Sequence, residues 1–255
     1  KTHRGQFAPA QILQCVEAAV NAKSFDEGMA VERARFAECM SDPQREALIH
    51  IFFAERAANK IPGLPKDVPL LDINKGSVIG AGTMGGGIAM CFANAGIPVR
   101  VHDNEPENLA RGIKVIEANY ARTVSKGRLT QEEMDKRMSL IIPTENFEDL
   151  GDGDIVVEAV YENLDLKKEI FSRLDKVMKE GALLATNTSG LDVDAIAGMT
   201  DRAEFVCGMH FFSPANVMRL LEVVRGKDSS PVVLGTAMAL GKRLGKVSVM
   251  AGNCP

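Results

Sequence analysis

Hydrophobic positions in the first sixty residues recur at the spacing of helices. Ile12, Val16 and Val20 follow one another at intervals of four residues, which predicts an amphipathic helix. Ser24 and Glu27 have the pattern of a capping box that begins a second helix. A Ser-Asp-Pro sequence further on predicts a third helix, because proline is tolerated in a first turn. Three short helices bury too little surface to form a core alone, so we expect this segment to dock on a neighbouring domain.

A proline-rich stretch follows these helices. Residues 61–69, IPGLPKDVP, hold three prolines and a glycine in nine positions. Such a composition cannot sustain a helix or a central strand, so it predicts a stiff, extended linker. The expected organisation is therefore a helical segment at 1–60, a linker at 61–73 and a second domain at 74–255.

After the linker, short β-branched runs alternate with longer amphipathic segments. Leu109, Ile113 and Ile116 share one face of the longest segment, and Gly127 follows it in the position of a C-terminal cap. This alternation is typical of a parallel sheet covered on both faces. We predict a Rossmann-type, doubly wound α/β fold preceded by a short all-helical segment. The strand runs and their following helices are GSVIG and 83–96, VRVHD and 105–126, DIVVEAV and 163–180, and GALLATNTS and 192–198.

The composition adds limits on function. Of 255 residues, 45% are hydrophobic and 25% charged, and the net charge of −4 argues against a nucleic-acid partner. No apolar run approaches the roughly 18 residues that a membrane span needs. The five cysteines are scattered without a C-x-x-C pair, so we expect no disulfide framework, no metal site and a reducing compartment.

A glycine-rich turn lies between the first strand run and its helix. Residues 80–85, GAGTMG, fit the pattern G-x-G-x-x-G. Gly80 permits the tight turn, Gly82 lets a pyrophosphate approach the backbone, and Gly85 lets the helix pack closely on the strand. Asp103 ends the second strand 23 residues after Gly80, where a carboxylate binds a ribose 2′-hydroxyl and repels a 2′-phosphate. A glycine-rich turn without a ligand is the alternative, but the added acid makes NAD, rather than NADP, the expected cofactor.

Two later strands are predicted to form a hairpin that carries candidate catalytic residues. Strands at about 204–212 and 218–225 should pair antiparallel, with His210 roughly opposite Leu220 and Glu222 diagonal on the same face. A carboxylate beside a histidine favours the imidazolium, and such a pair suits proton removal from an alcohol near neutral pH. A strand-end histidine satisfied by a surface glutamate is the alternative that the hairpin alone leaves open.

The stretch from about residue 73 to residue 255 resembles the NAD-binding domain of L-3-hydroxyacyl-CoA dehydrogenases. It carries that family's blocks as GAGTMGGGIA, DIVVEAVYEN, ATNTSGL, GMHFFSPANVMRLLEVVRG and GNCP. The resemblance implies that His210 is the general acid/base, that Glu222 orients it, and that Ser189 contacts both substrate oxygen and nicotinamide. Family NAD-contacting positions match Met84, Asp103, Val160, Tyr161, Glu162 and Lys167, and Thr83 and Asn187 are further cofactor candidates.

Some positions depart from the family pattern. Ser213 stands where the family often has asparagine, and it can still hydrogen-bond the nicotinamide amide. Gly190 replaces a frequent second serine. Lys126 falls near a family lysine that meets the CoA moiety. The family's Gly-Phe-x-x-Asn-Arg block, which supplies a substrate-binding asparagine and begins a helical C-terminal domain, lies beyond this chain.

The helical segment resembles the tail of an enoyl-CoA hydratase/isomerase domain, in the string SFDEGMAVERARFAECMSDPQREALIHIFFAERAANK. With Lys1 in place of methionine and a stop at Pro255, we expect a piece of a multifunctional β-oxidation enzyme. The missing upstream hydratase and C-terminal dehydrogenase domains would be its partners.

The resemblance implies NAD-dependent oxidation of (S)-3-hydroxyacyl-CoA to 3-ketoacyl-CoA. We expect the isolated chain to bind NAD but to turn over poorly. The alternatives are a monofunctional 3-hydroxybutyryl-CoA dehydrogenase and a non-catalytic NAD-binding protein of the same fold. The cytoplasm is the favoured compartment, with the peroxisome as the other possibility.

Overall fold

The chain divides into two compact units, Lys1–Lys60 and Ile61–Pro255. No described helix is long and apolar enough to cross a bilayer. The computed structural model describes residues 5–58, 60–61, 63–65 and 67–254, so the predictions made on Lys1, Pro62, Lys66 and Pro255 fall outside the described residues.

The described part of the first unit contains three helices where the sequence predicts them: α1 (Ala8–Asn21), α2 (Phe25–Ser41) and α3 (Pro43–Ala58). Ser24 caps α2, because its hydroxyl oxygen accepts a hydrogen bond from Glu27 N at 3.2 Å. The Glu27 carboxylate accepts from the backbone N–H of the residue before the cap, at 2.9 Å, instead of from the cap itself. Half of the predicted capping box is therefore formed.

The three helices do not enclose a hydrophobic core. Within residues 5–58, Gln11 is the one buried residue. The apolar faces that the spacing predicts are present but open to solvent, and Val20 is 78% exposed. Large apolar side chains exposed in this unit are Ile12, Leu13, Val16, Val20, Phe25, Phe36, Met40, Leu48, Ile49, Ile51, Phe52 and Phe53.

The described residues of the second unit form an eight-stranded sheet in the order β3-β2-β1-β4-β5-β6-β7-β8. Strands β1 to β6 run parallel, β7 is antiparallel to β6, and β8 is parallel to β7. The predicted doubly wound α/β fold is confirmed. The strands are β1 (Gly76–Ile79), β2 (Val99–His102), β3 (Ile141–Thr144), β4 (Ile155–Glu158), β5 (Leu183–Thr186), β6 (Val206–Phe211), β7 (Leu220–Arg225) and β8 (Val247–Gly252); the helices are α4 (Thr83–Asn94), α5 (Pro106–Ser125), α6 (Gln131–Ser139), α7 (Leu164–Val177), α8 (Val193–Ala197) and α9 (Pro231–Arg243).

Both faces of the sheet are covered, which explains why β1, β4 and β5 are buried at every position. Ile88, Phe92 and Ile116 belong to the apolar cluster on one face. Phe171 and Leu174 belong to the cluster on the other. The strand order reverses between β1 and β4, so the carboxyl ends of these two strands flank the crevice in which α/β proteins bind ligands.

The sequence did not predict β3, β8 or α9. Strand β3 is short and contains Pro143, which lacks the N–H of a central strand, and the structure places β3 at the edge of the sheet. Strand β8 and helix α9 extend the other side of the sheet beyond the predicted hairpin.

The predicted linker has no helix or strand among its described residues, as expected, but it is part of the second compact unit. Ile61, Leu64 and Leu71 pack on the larger apolar cluster of that unit. Leu71 N also donates a hydrogen bond of 2.9 Å to Thr236 Oγ1 on α9. The segment is thus attached along α9 as well as being stiffened by its prolines.

Candidate functional site

A crevice of about 290 Å³ opens at the carboxyl ends of β1, β4, β5 and β6. It brings together seven residues that the sequence singled out and three that it did not. The first group is Met84, Val160, Glu162, Asn187, Ser189, His210 and Ser213; the second is Ala159, Phe211 and Phe212.

The three motif glycines meet three different steric conditions. Gly80 has φ of +98°, and a Cβ there would lie 2.7 Å from Ala159 O. A Cβ at Gly85 would lie 1.8 Å from Gly80 O, so α4 packs against the turn more closely than any side chain allows. A Cβ at Gly82 would meet nothing within 4 Å. The turn is therefore closed towards the protein and open at Gly82.

This open turn fits the phosphates of a dinucleotide. Gly82 is the N-cap of α4, and the first N–H groups of a helix have no partner within the helix. An anion approaching Gly82 would meet those N–H groups and the positive end of the helix dipole without a side chain in the way. Thr83 and Met84 begin the helix, and Met84 also lines the crevice.

Asp103 stands directly after β2, next to the glycine turn. Its Oδ2 accepts a hydrogen bond from Ala81 N at 2.8 Å, and its Oδ1 accepts one from Glu105 N at 3.2 Å. The acid therefore orients the turn in addition to occupying the position predicted for a ribose contact. The spacing of the motif did not reveal this second role.

His210 and Glu222 form a direct pair across the β6–β7 ladder. His210 Nδ1 lies 2.8 Å from Glu222 Oε2, and the two side chains are 17% and 37% exposed. The predicted register, with His210 opposite Leu220, is wrong by two residues, because the pairing partner is Glu222 itself. The connection runs from 212 to 219 and is longer than expected. A slip of two residues keeps a side chain on the same face, so the predicted contact survives.

Ser189 is held by Glu162. Glu162 Oε1 accepts hydrogen bonds from Ser189 N at 2.8 Å, from Ser189 Oγ at 3.1 Å and from Thr188 Oγ1 at 2.6 Å. Burial alone would raise the pKa of Glu162, but the hydrogen bonds from Thr188 and Ser189 and the charge of Lys167 outweigh it and lower the pKa. Glu162 is therefore a carboxylate anion at neutral pH.

Lys167 is enclosed by two acidic side chains. It is 1% exposed, and its Nζ lies 2.6 Å from Glu158 Oε1 and 3.5 Å from Glu162 Oε2. Glu158 is fully buried and also accepts hydrogen bonds from Val160 N at 2.8 Å and Thr186 Oγ1 at 2.7 Å. Glu158 was not predicted as a site residue, although a charged residue inside the apolar run DIVVEAV is a visible signal.

The remaining predicted residues differ in whether they line the crevice. Asn187, which does line it, also ties β5 to β6, since its Oδ1 accepts a hydrogen bond of 2.8 Å from Phe211 N. Tyr161 is 86% exposed, and Lys126 is exposed as the C-cap of α5. Neither of these two side chains lines the crevice.

A family comparison agrees with this geometry. Residues 75–254 match the family described as 3-hydroxyacyl-CoA dehydrogenase, NAD binding domain. This chain belongs to that family. NAD is the cofactor of this 3-hydroxyacyl-CoA dehydrogenase domain, and the open turn at Gly82 is consistent with it.

Similar proteins extend the match to the first unit. The peroxisomal bifunctional enzyme of Danio rerio is 42% identical over 260 residues, which cover 100% of this chain and 35% of the relative. The fatty acid oxidation complex subunit alpha of Psychrobacter sp. is 37% identical, over 97% of this chain and 34% of the relative. The 3-hydroxybutyryl-CoA dehydrogenase structure from Escherichia coli K12 has a TM-score of 0.71 and 38% identity, covering 72% of this chain and 39% of that one. The chain thus spans about a third of the length of the curated relatives it matches.

Proposed function

We propose that this domain carries the proton-transfer residues for reversible oxidation of (S)-3-hydroxyacyl-CoA to 3-ketoacyl-CoA, within a longer multifunctional enzyme of fatty-acid β-oxidation. The 2.8 Å contact between His210 and Glu222, at a crevice that also holds Ser189, is the observation that carries this proposal. The names of the relatives, a peroxisomal bifunctional enzyme and a subunit of a fatty acid oxidation complex, agree with the substrate class.

His210 is assigned the proton transfer. Because its Nδ1 contacts Glu222, Nε2 is the ring nitrogen left for the substrate. In the oxidation direction Nε2 accepts the proton of the 3-hydroxyl, and the Glu222 carboxylate stabilises the imidazolium that forms. NAD, when bound, supplies the acceptor for the hydride that leaves carbon 3. In the reverse direction the imidazolium returns the proton to the 3-keto oxygen.

Ser189 is assigned the orientation of the substrate hydroxyl. A serine hydroxyl has one O–H, and that of Ser189 donates to the Glu162 carboxylate at 3.1 Å. Its oxygen is then left to accept a hydrogen bond. In this arrangement Ser189 accepts from the 3-hydroxyl when the substrate first binds, and that O–H rotates towards His210 Nε2 before its one proton is transferred.

Further contacts are proposed for the two ligands. Gly82 and Asp103 would receive the pyrophosphate and the adenosine ribose of NAD, and Ser213 the nicotinamide amide. Residues Val160 to Glu162 at the crevice edge, with Lys167 behind them, are proposed to support the remainder of the cofactor site. Lys126 is proposed to meet the CoA moiety, since it is a solvent-exposed cation at the end of α5.

The first unit is proposed to belong to a preceding hydratase/isomerase domain. Its apolar side chains are exposed and enclose no core within the described residues. The Danio rerio relative aligns with the whole chain, whereas the Escherichia coli dehydrogenase structure covers 72% of it. Both facts favour the multifunctional enzyme over a monofunctional dehydrogenase.

The proposed reaction is tested by assaying the full-length protein with acetoacetyl-CoA and NADH, following NADH absorbance. We expect turnover that depends on both compounds. A protein that binds NADH, as judged by fluorescence titration, and shows no turnover would instead support the non-catalytic alternative.

Cofactor choice is tested at Asp103. Replacing Asp103 with Asn keeps an acceptor for Ala81 N but removes the charge that repels a 2′-phosphate. We expect NADH to bind about 10-fold more weakly, as for the loss of one hydrogen bond to a charged group, and NADPH to bind more tightly than it does to the parent. Fluorescence titrations with both nucleotides measure the ratio, and an unchanged ratio would contradict the assigned role.

A further inference from the structure

Glu158 has no role in the proposed reaction, yet it is a buried acid one residue from the crevice lining. It is the last residue of β4 and is completely buried. Its carboxylate contacts Lys167 Nζ at 2.6 Å, Val160 N at 2.8 Å and Thr186 Oγ1 at 2.7 Å. A buried charge is costly unless it is paired and hydrogen-bonded, and Glu158 meets both conditions.

A continuous series of contacts leads from Glu158 to the crevice. Lys167 carries one positive charge between two carboxylates, with Glu158 at 2.6 Å on its inner side and Glu162 at 3.5 Å on its outer side. Lys167 contacts Oε2 of Glu162, and the other oxygen of that carboxylate, Oε1, accepts hydrogen bonds from Ser189 N and Ser189 Oγ. The position of Ser189 therefore depends on how far Lys167 draws Glu162 inwards.

We propose that Glu158 is a positioning residue for Ser189, acting through Lys167 and Glu162. The inference rests on the proposed function only in assigning Ser189 to the substrate. The negative charge of Glu158 keeps the Lys167 ammonium closer to Glu158 than to Glu162. Without that charge, Glu162 is the one carboxylate left to Lys167 among its described contacts, so the two move together. The hydrogen bonds that Ser189 donates to Glu162 then lengthen.

Hydrogen exchange of the Ser189 amide tests this without any turnover. In the ligand-free full-length protein, Glu158→Gln keeps the side-chain size and removes the charge, and we expect the Ser189 amide to exchange at least tenfold faster. The matched control is Asp175→Asn, which breaks the partly buried pair between Asp175 and Arg202 at 2.9 Å. The control should lower stability and leave exchange at Ser189 within twofold of the parent. Equal protection of Ser189 in Glu158→Gln and in the parent would overturn the proposal.

A double-mutant cycle gives the second readout. We expect Glu158→Gln to lower kcat about tenfold when Ser189 is present and to change it less than twofold in the Ser189→Ala background. An equal loss in both backgrounds would mean that Glu158 only supports the fold. Absence of turnover in the parent would refute the proposed function, while the exchange experiment would still decide the role of Glu158.

A double variant that removes both charges is used if Glu158→Gln alone does not fold. Glu158→Gln combined with Lys167→Met removes both buried charges at similar volume, and such replacements preserve folding better than an unpaired charge does. Exchange at Ser189 should stay within twofold of the parent in this variant, because no ammonium is left to draw Glu162 away from Ser189. Tenfold faster exchange in the folded double variant would show that Glu158 does not act through Lys167 and would refute the proposal.

Discussion

Replacing His210 with alanine in the full-length protein is expected to lower kcat for acetoacetyl-CoA reduction by about 10²- to 10⁴-fold, the usual contribution of a general acid/base. NADH binding should stay nearly intact, because the glycine turn follows β1, Asp103 follows β2, and neither makes use of the imidazole. The two quantities are measured by NADH absorbance during turnover and by fluorescence titration at equilibrium.

A variant of Glu222 distinguishes proton transfer by His210 from the support that Glu222 gives to that histidine. Glu222→Gln keeps an oxygen near His210 Nδ1 but removes the charge that stabilises the imidazolium, so we expect a smaller loss of kcat than in His210→Ala. Normal turnover in His210→Ala would exclude this histidine as the acid/base. A loss of NADH affinity equal to the loss of kcat would show that the histidine acts on cofactor binding instead.

Gly85→Ala is expected to have the largest effect on the cofactor site. The new Cβ would lie 1.8 Å from Gly80 O, a backbone atom, so the turn and α4 must separate. Overpacking of this kind costs about 1–3 kcal/mol or more, and the shifted turn should weaken NADH binding at least tenfold. Thermal unfolding and NADH titration measure the two effects.

Two nearby glycines provide matched controls. A Cβ at Gly82 would meet no atom within 4 Å, so Gly82→Ala should keep the parent Tm while obstructing the pyrophosphate. A Cβ at Gly86 would lie 3.5 Å from Ile116, an ordinary contact, so Gly86→Ala should preserve both stability and binding. If Gly85→Ala matched Gly86→Ala in Tm and affinity, the close approach of helix and turn would not matter for the site.

Local patterns predicted those parts of the molecule whose conformation depends on near neighbours. The motif predicted a tight turn at Gly80 and close helix packing at Gly85, and the structure has both. The alternating runs predicted β1, β2, β4 and β5 because buried parallel strands are rich in apolar residues. Strand β3 was not predicted, because it contains proline and lies at the edge of the sheet.

For the pair His210 and Glu222, the sequence predicted the shared face of the sheet but not the pairing register. The alternation of side chains along strands placed both residues on one face, and this was correct. The exact partner depended on the length of the 212–219 connection, which no local pattern revealed. Because side chains alternate between faces, an error of two residues leaves both side chains on the same face. The contact was therefore predicted although the register was wrong.

By itself the sequence determined the α/β fold, the glycine turn with its acid, and the residue types His210, Glu222 and Ser189 that the family resemblance assigns to catalysis. Only the tertiary structure decided that Lys167 is enclosed between Glu158 and Glu162, and that Glu162 holds Ser189. The reason is physical. Backbone requirements and strand periodicity act between close neighbours along the chain, whereas these contacts join the ends of different strands, and their distances follow from sheet order and burial.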